Sequence, residues 1–116
     1  MAFEWKDYLQ LAEELLLRGD EASLRSCISR AYYSAFCRAR DDAGLDRQSY
    51  NIHQAVIETY ELSSDREDRK IGRLLSEIKP RRIDADYRAE AVIHPATAER
   101  VVLKSQQIHR LLDERG

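Results

Sequence analysis

Apolar positions recur at three- and four-residue spacing through nearly the whole chain, which is the period of helices that each bury one face. Trp5, Tyr8, Leu9, Ala12, Leu15 and Leu16 mark a first helix over residues 5–18. Gly19 suits its C-terminal cap, and Asp20 and Glu21 suit the positive end of the helix that follows. In that second helix, residues 20–43, the stripe Leu24, Ile28, Ala31, Tyr32, Ala35 and Ala39 lies within about 60° of one direction, and its small alanines imply close helix approach. Gly44 ends it. Residues 50–62 form a third helix on Ile52, Val56 and Tyr60. Ser64, Asp65, Arg66 and Glu67 match the capping-box pattern at the start of a fourth, which carries Ile71, Leu74, Leu75 and Ile78 inward. Pro80 is expected to stop or kink this helix, with a resumption over 81–88. Pro95 fits the first turn of a last helix to about residue 114, with Ala98, Val101, Val102, Ser105, Ile108 and Leu112 inward.

Composition agrees with this pattern. Only 4 glycines and 2 prolines punctuate 116 residues, while leucine and alanine far outnumber valine and threonine, so the chain lacks the material of a sheet. The reading is a single all-α domain, residues 1–116, built as a five-helix up-and-down bundle. No apolar run approaches the roughly 18 to 20 residues that cross a bilayer, and the first residues lack the character of a signal peptide, which leads to the expectation of a cytoplasmic protein without membrane contact. Cys27 and Cys37, ten residues apart on one helix, stand about 15 Å apart along its axis and do not pair.

The far side of the second helix carries Ser26, Arg30, Tyr33 and Cys37 where a solvated helix would show Lys and Glu. This side is expected to be covered by another helix or a second subunit. Phosphate-binding glycine loops, zinc-spaced cysteines and metalloprotease helices are missing, and the three histidines, His53, His94 and His109, are dispersed, so neither a metal nor a cofactor is expected. Net charge is -2, yet eight Lys or Arg stand against five acids from Arg66 to Arg88. This segment either touches phosphates or forms a solvated face laced with ion pairs.

The run Arg25-Ser-Cys-Ile-Ser-Arg30-Ala-Tyr-Tyr-Ser-Ala-Phe36 resembles the "R-x4-R-A-Y-Y-x-A-F" helix of small prokaryotic HEPN-domain proteins. Trp5 with the Leu-Ala-Glu-Glu-Leu-Leu segment is similar to the first helix of that family, His53 to the histidine opening its third, and Arg82-Ile-Asp-Ala-Asp86-Tyr87 to its "R-x3-D-Y" signature. The resemblance spans almost the whole chain. It implies a helical bundle, commonly a homodimer, and either a metal-independent RNase or a noncatalytic nucleotide-binding module. Many small members are paired, as toxin and antitoxin, with a minimal nucleotidyltransferase. In some pairs that partner adenylylates a tyrosine beside the motif, the neighbourhood of Tyr87.

On this resemblance the catalytic candidates are Arg82, Asp86, Tyr87 and His53, and the candidates for contact with RNA or nucleotide are Arg30, Tyr33, Arg81, Arg88 and His94. The Arg30 and Tyr33 side of the second helix is expected beside Arg82, Asp86 and Tyr87. RNase chemistry would use a histidine to assist attack by a ribose 2′-hydroxyl and an arginine to offset charge on the phosphate. Five residues beyond Arg82, however, stands Tyr87, and a phenol with an ordinary pKa near 10 is a poor base at neutral pH. Two stretches do match arginine, five residues, histidine: Arg47 to His53 and Arg88 to His94. A six-residue step turns a continuous helix by about 240°, so neither pair shares a face unless the helix breaks or two subunits meet.

Overall fold

A computed structural model describes residues 2–45 and 50–115. They form five helices: α1 (Lys6–Arg18), α2 (Glu21–Asp42), α3 (Ile52–Glu61), α4 (Arg66–Tyr87) and α5 (Pro95–Glu114). No strand occurs among the described residues. None of the helices is long and apolar enough to cross a membrane.

Sequence and structure agree most closely where caps are unambiguous. Gly19 closes α1 at φ 77°, a left-handed conformation that costs glycine little. Asp20 is the N-cap of α2, its carboxylate accepting from the Ser23 amide at 3.1 Å and the Ser23 hydroxyl at 2.7 Å. Pro95 occupies the first turn of α5, where its missing N–H is no loss.

Helix α2 lies at the centre and packs against all four others. The predicted stripe of Leu24, Ile28, Ala31, Tyr32, Ala35 and Ala39 is buried, and so are Cys27, Ser34, Phe36 and Cys37. The far side of α2 is therefore covered within the chain at Cys37, while Ser26, Arg30 and Tyr33 remain partly open. Polar side chains trapped around α2 find backbone partners: Ser34 donates to the Trp5 carbonyl at 2.6 Å, Tyr60 to Ala39 at 2.7 Å and Ser105 to Ala31 at 2.7 Å. Such bonds matter chiefly because a buried donor left unmatched costs about 1–3 kcal/mol.

Three local expectations need correction. The capping box at Ser64 does not form: Asp65 takes the N-cap, accepting from the Glu67 amide at 3.2 Å, which leaves Glu67 too early in the helix to reach back. Asp65 is itself supported by Ser63, whose hydroxyl accepts from its amide at 3.1 Å. Helix α3 starts at Ile52 rather than Tyr50, because Asn51 adopts a left-handed conformation at φ 58°. Finally, α4 runs unbroken through Pro80. The proline removes only the bond to the Ser76 carbonyl, and Ser76 is exposed, so water can take its place.

The contact between α3 and α4 depends on Gly72. A β-carbon there would stand 2.6 Å from Glu61 Cγ and 2.7 Å from the Glu61 backbone nitrogen. In an open helix, Gly→Ala gains up to about 1 kcal/mol. Here the backbone clash dominates, and Gly72→Ala is expected to lower stability by about 1–3 kcal/mol, read as an earlier urea midpoint at unchanged slope.

Candidate functional site

Arg82 is the centre of the candidate site. It leaves the buried face of α4 with only 6% of its surface exposed, and its guanidinium carbon lies 5.2 Å from the Tyr32 ring centre, 5.3 Å from Tyr33 and 5.7 Å from Tyr87. Rings offer their negative faces to a cation, so three of them hold the charge without a close carboxylate. The nearest acid is Asp86, one turn on, with Oδ2 at 3.8 Å, an ion pair but too long for a hydrogen bond. The buried Arg82 Nε has no hydrogen-bond partner.

Tyr32 connects this cation to His53. Its ring stacks between Arg82 and the imidazole, and its hydroxyl lies 2.8 Å from His53 Nδ1. The imidazole also stacks on Phe36 at 4.1 Å. Burial, and then the positive charges of Arg82, Lys79 and Arg40, push His53 down to about 4, so it is neutral at pH 7. Burial raises Tyr32 well above the ordinary range, so that its hydroxyl keeps its proton and needs an acceptor. Nδ1 is that acceptor, which assigns the imidazole proton to Nε2. His53 thus carries its lone pair toward Tyr32 and presents an N–H elsewhere, the wrong form for a general base at the open side of the site.

Tyr33 is half-buried against Arg82, and burial raises its pKa despite that cation. Asp86 meets α2 through Ser29, whose hydroxyl donates to Oδ2 at 3.2 Å, while Arg30, one position further, turns to α1 and lies 4.9 Å over the Tyr8 ring. Tyr87 is 72% exposed. Arg88 is exposed and pairs with Asp84 at 3.4 Å. Arg81 lies apart from the cluster: 100° further round α4, it lines a cleft against α5. His94, the N-cap of α5, is exposed and caps nothing with its side chain. Arg82 therefore gathers Tyr32, Tyr33, Tyr87 and Asp86, with His53 reached through Tyr32, while Arg30, Arg81 and His94 point to other neighbours. The Arg47 to His53 pairing lies outside the described residues. Among the described residues no cluster of His, Cys, Asp or Glu is placed to hold a metal.

Two residues escaped the reading of the sequence. Arg25, noticed only as part of a motif, donates to the carbonyls of Asp84, Ala85, Arg88, Ala89 and Ala91 at 2.7 to 3.3 Å, capping α4 and the turn after it. It thereby fixes where Asp86 and Tyr87 stand. His109, now buried on α5, contacts Ser34 Oγ through Nε2 at 2.7 Å and Arg38 through Nδ1 at 3.3 Å. Burial first, then Arg38, lowers it to about 4. A histidine one turn from a run of buried aliphatics was the available signal.

Protein-family models, curated proteins and solved structures were all compared with the chain, and none matches it.

Buried His109 and half-buried His53 are neutral when folded and titrate near 6.5 when unfolded, so unfolding takes up protons between pH 6.5 and about 4. Stability is complete above pH 6.5 and falls as pH drops through that window. Each histidine contributes less than the one-proton limit of about 1.4 kcal/mol per pH unit, least for half-open His53, which water screens. Urea titrations from pH 7.5 to 4.5 are expected to show a shallower decline for His109→Gln than for the wild-type chain.

Proposed function

We propose that this chain is a HEPN-like domain, the partner of a minimal nucleotidyltransferase in a toxin and antitoxin type pair, and that it binds RNA without cleaving it. The observation that carries the reading is the state of Arg82: a buried guanidinium with an unmatched Nε, roofed by an exposed Tyr87 ring. Arginine held behind an aromatic surface is the arrangement on which unpaired bases stack, each worth about 1–3 kcal/mol. Tyr87 supplies the open ring, Tyr33 the half-covered one and Arg88 a nearby cation.

Binding rather than cleavage follows from the proton inventory. Cleavage needs a base at the ribose hydroxyl, and loss of one costs about 100- to 10,000-fold in rate. His53 has its lone pair occupied by Tyr32, Tyr87 is a phenol and His94 lies on another element. The exposed Tyr87 hydroxyl also fits the second reading, in which a nucleotidyltransferase partner adenylylates it; a bulky anion there would cover the platform.

The test combines metal-free cleavage with binding. Wild-type protein is expected to leave a labelled oligoribonucleotide intact, and Tyr87→Ala to weaken binding by about 5- to 150-fold, the equivalent of one lost base stack. Cleavage by the wild type that disappears in Arg82→Ala and His53→Ala overturns the noncatalytic reading.

The proposal includes a homodimer, through the open side of α2 or the adjoining α4. Light scattering is expected to give about 27 kDa, twice the 13.5 kDa chain. A mass of one chain throughout the micromolar range rejects the dimer.

A further inference from the structure

The outward side of α4 carries Arg66, Lys70, Arg73 and Arg81. At 100° per residue these four fall within about 80° of one another, and they extend about 22 Å along the axis. Across a cleft of about 230 Å³ from Arg81 stand Arg100 and Lys104 of α5, over a floor that includes Ile78 and Val101.

An ion-pair lattice does not form on this face. Among the described residues, Arg66, Lys70, Arg73, Arg81 and Arg100 make neither a hydrogen bond nor an ion pair. Of the acids near them in sequence, Asp68 and Asp84 are engaged off this face, while Glu77 lies on it, in the same cleft as Arg81, Arg100 and Lys104. Asp68 is buried and pairs with Arg115 at 2.9 Å, Asp84 with Arg88 at 3.4 Å, and Glu77 with Lys104 at 3.3 Å. Glu67 alone stands among the cations at the start of the helix. Five cationic side chains without an ion pair, with Glu67 the one acid among them also unpaired, concentrate an attractive field for anions on one side of a chain of net charge -2.

We propose that this α4–α5 face is a docking surface for the sugar–phosphate backbone of RNA, separate from the ring cluster around Arg82. It rests on the RNA-binding reading for its ligand and on different residues for its evidence. A linear array suits a linear polyanion, whose phosphates recur regularly along the strand and several of which fit within about 22 Å. A membrane-surface helix would need an apolar face beside the basic one. The large apolar side chain exposed on α4 is instead Tyr87, which belongs to the ring cluster around Arg82 and not to this face. Leu103, on α5, is exposed singly.

The test is fluorescence anisotropy of a labelled 20-residue oligouridylate with the full chain, from 50 to 300 mM KCl. Wild type is expected to bind, with affinity falling steeply as salt rises. The triple variant Arg73→Gln, Arg81→Gln, Arg100→Gln is expected to bind at least about 10-fold more weakly at 50 mM salt. Its slope of log affinity against log salt should be about 2 shallower, or about 0.7 per phosphate contact removed. These side chains are exposed and glutamine is a good helix former, so circular dichroism melts should match wild type. The corresponding triple lysine variant, which keeps the charges, is expected to restore most of the binding. Tyr87→Ala is expected to weaken binding without altering the slope.

A triple glutamine variant with wild-type affinity and slope overturns the docking surface and leaves the Tyr87 platform standing. Weaker binding by the triple variant and none lost by Tyr87→Ala does the reverse. Wild type that does not bind the oligomer rejects both. Competition by polyglutamate as effective, per charge, as unlabelled RNA overturns the proposal in favour of an acidic protein ligand.

Discussion

A helix enclosed on most of its sides is the constraint to which the rest of this structure answers. Helix α2 is in contact with every other helix, and its apolar residues, its two cysteines and several of its serines are buried together. Close approach on so many sides requires small side chains, and Ala31, Ala35 and Ala39 provide them. It also requires that each hydroxyl trapped against α2 find a partner inside the protein. Ser34, Ser105 and Tyr60 therefore bond to backbone carbonyls, and the choice of those carbonyls sets the depth at which α1, α5 and α3 sit.

The same enclosure produces the electrostatics of the candidate site. Arg82 reaches the side of α2 where Tyr32 and Tyr33 are adjacent, so the charge is met by ring faces and not by a carboxylate at hydrogen-bond distance. Desolvation and that charge act on His53 in one direction, both favouring the neutral ring. Tyr32 then fixes the position of the remaining proton. An arginine and a histidine are brought into one neighbourhood, with the aromatic side chain between them deciding which chemistry the histidine can perform.

The helical pattern was legible because it rests on repeated local signals: apolar stripes, Gly19, Gly44, Asp20 and Pro95. Errors arose where two local rules competed, as between Ser64 and Asp65 for one N-cap, or where solvent relieved the penalty that makes a rule, as at Pro80. The cluster around Tyr32 was legible only in part. The resemblance in motif pointed to Arg82, Asp86 and His53, but Ser29, not Arg30, meets Asp86, a difference of one position on α2. Arg81 and Arg82 are neighbours in sequence and face different helices, a separation that the 100° step of a helix already implies. The role of Arg25 had no side-chain signature, since its partners are backbone carbonyls about sixty residues away. Gly72 did have one: a glycine within a helical pattern marks close backbone approach.

The many carbonyls gathered on Arg25 give the end of α4 an all-or-none character. Apart from the bond between Asp86 and Ser29, residues 84 to 91 are tied to α2 through one shared guanidinium. When that side chain withdraws, the carbonyls of the last turn of α4 and of the segment leading to α5 lose their shared donor at the same moment, which couples the opening of the two. Tyr87 and Arg88 belong to this stretch. The grip of one arginine therefore bears on how firmly the exposed ring is held above Arg82.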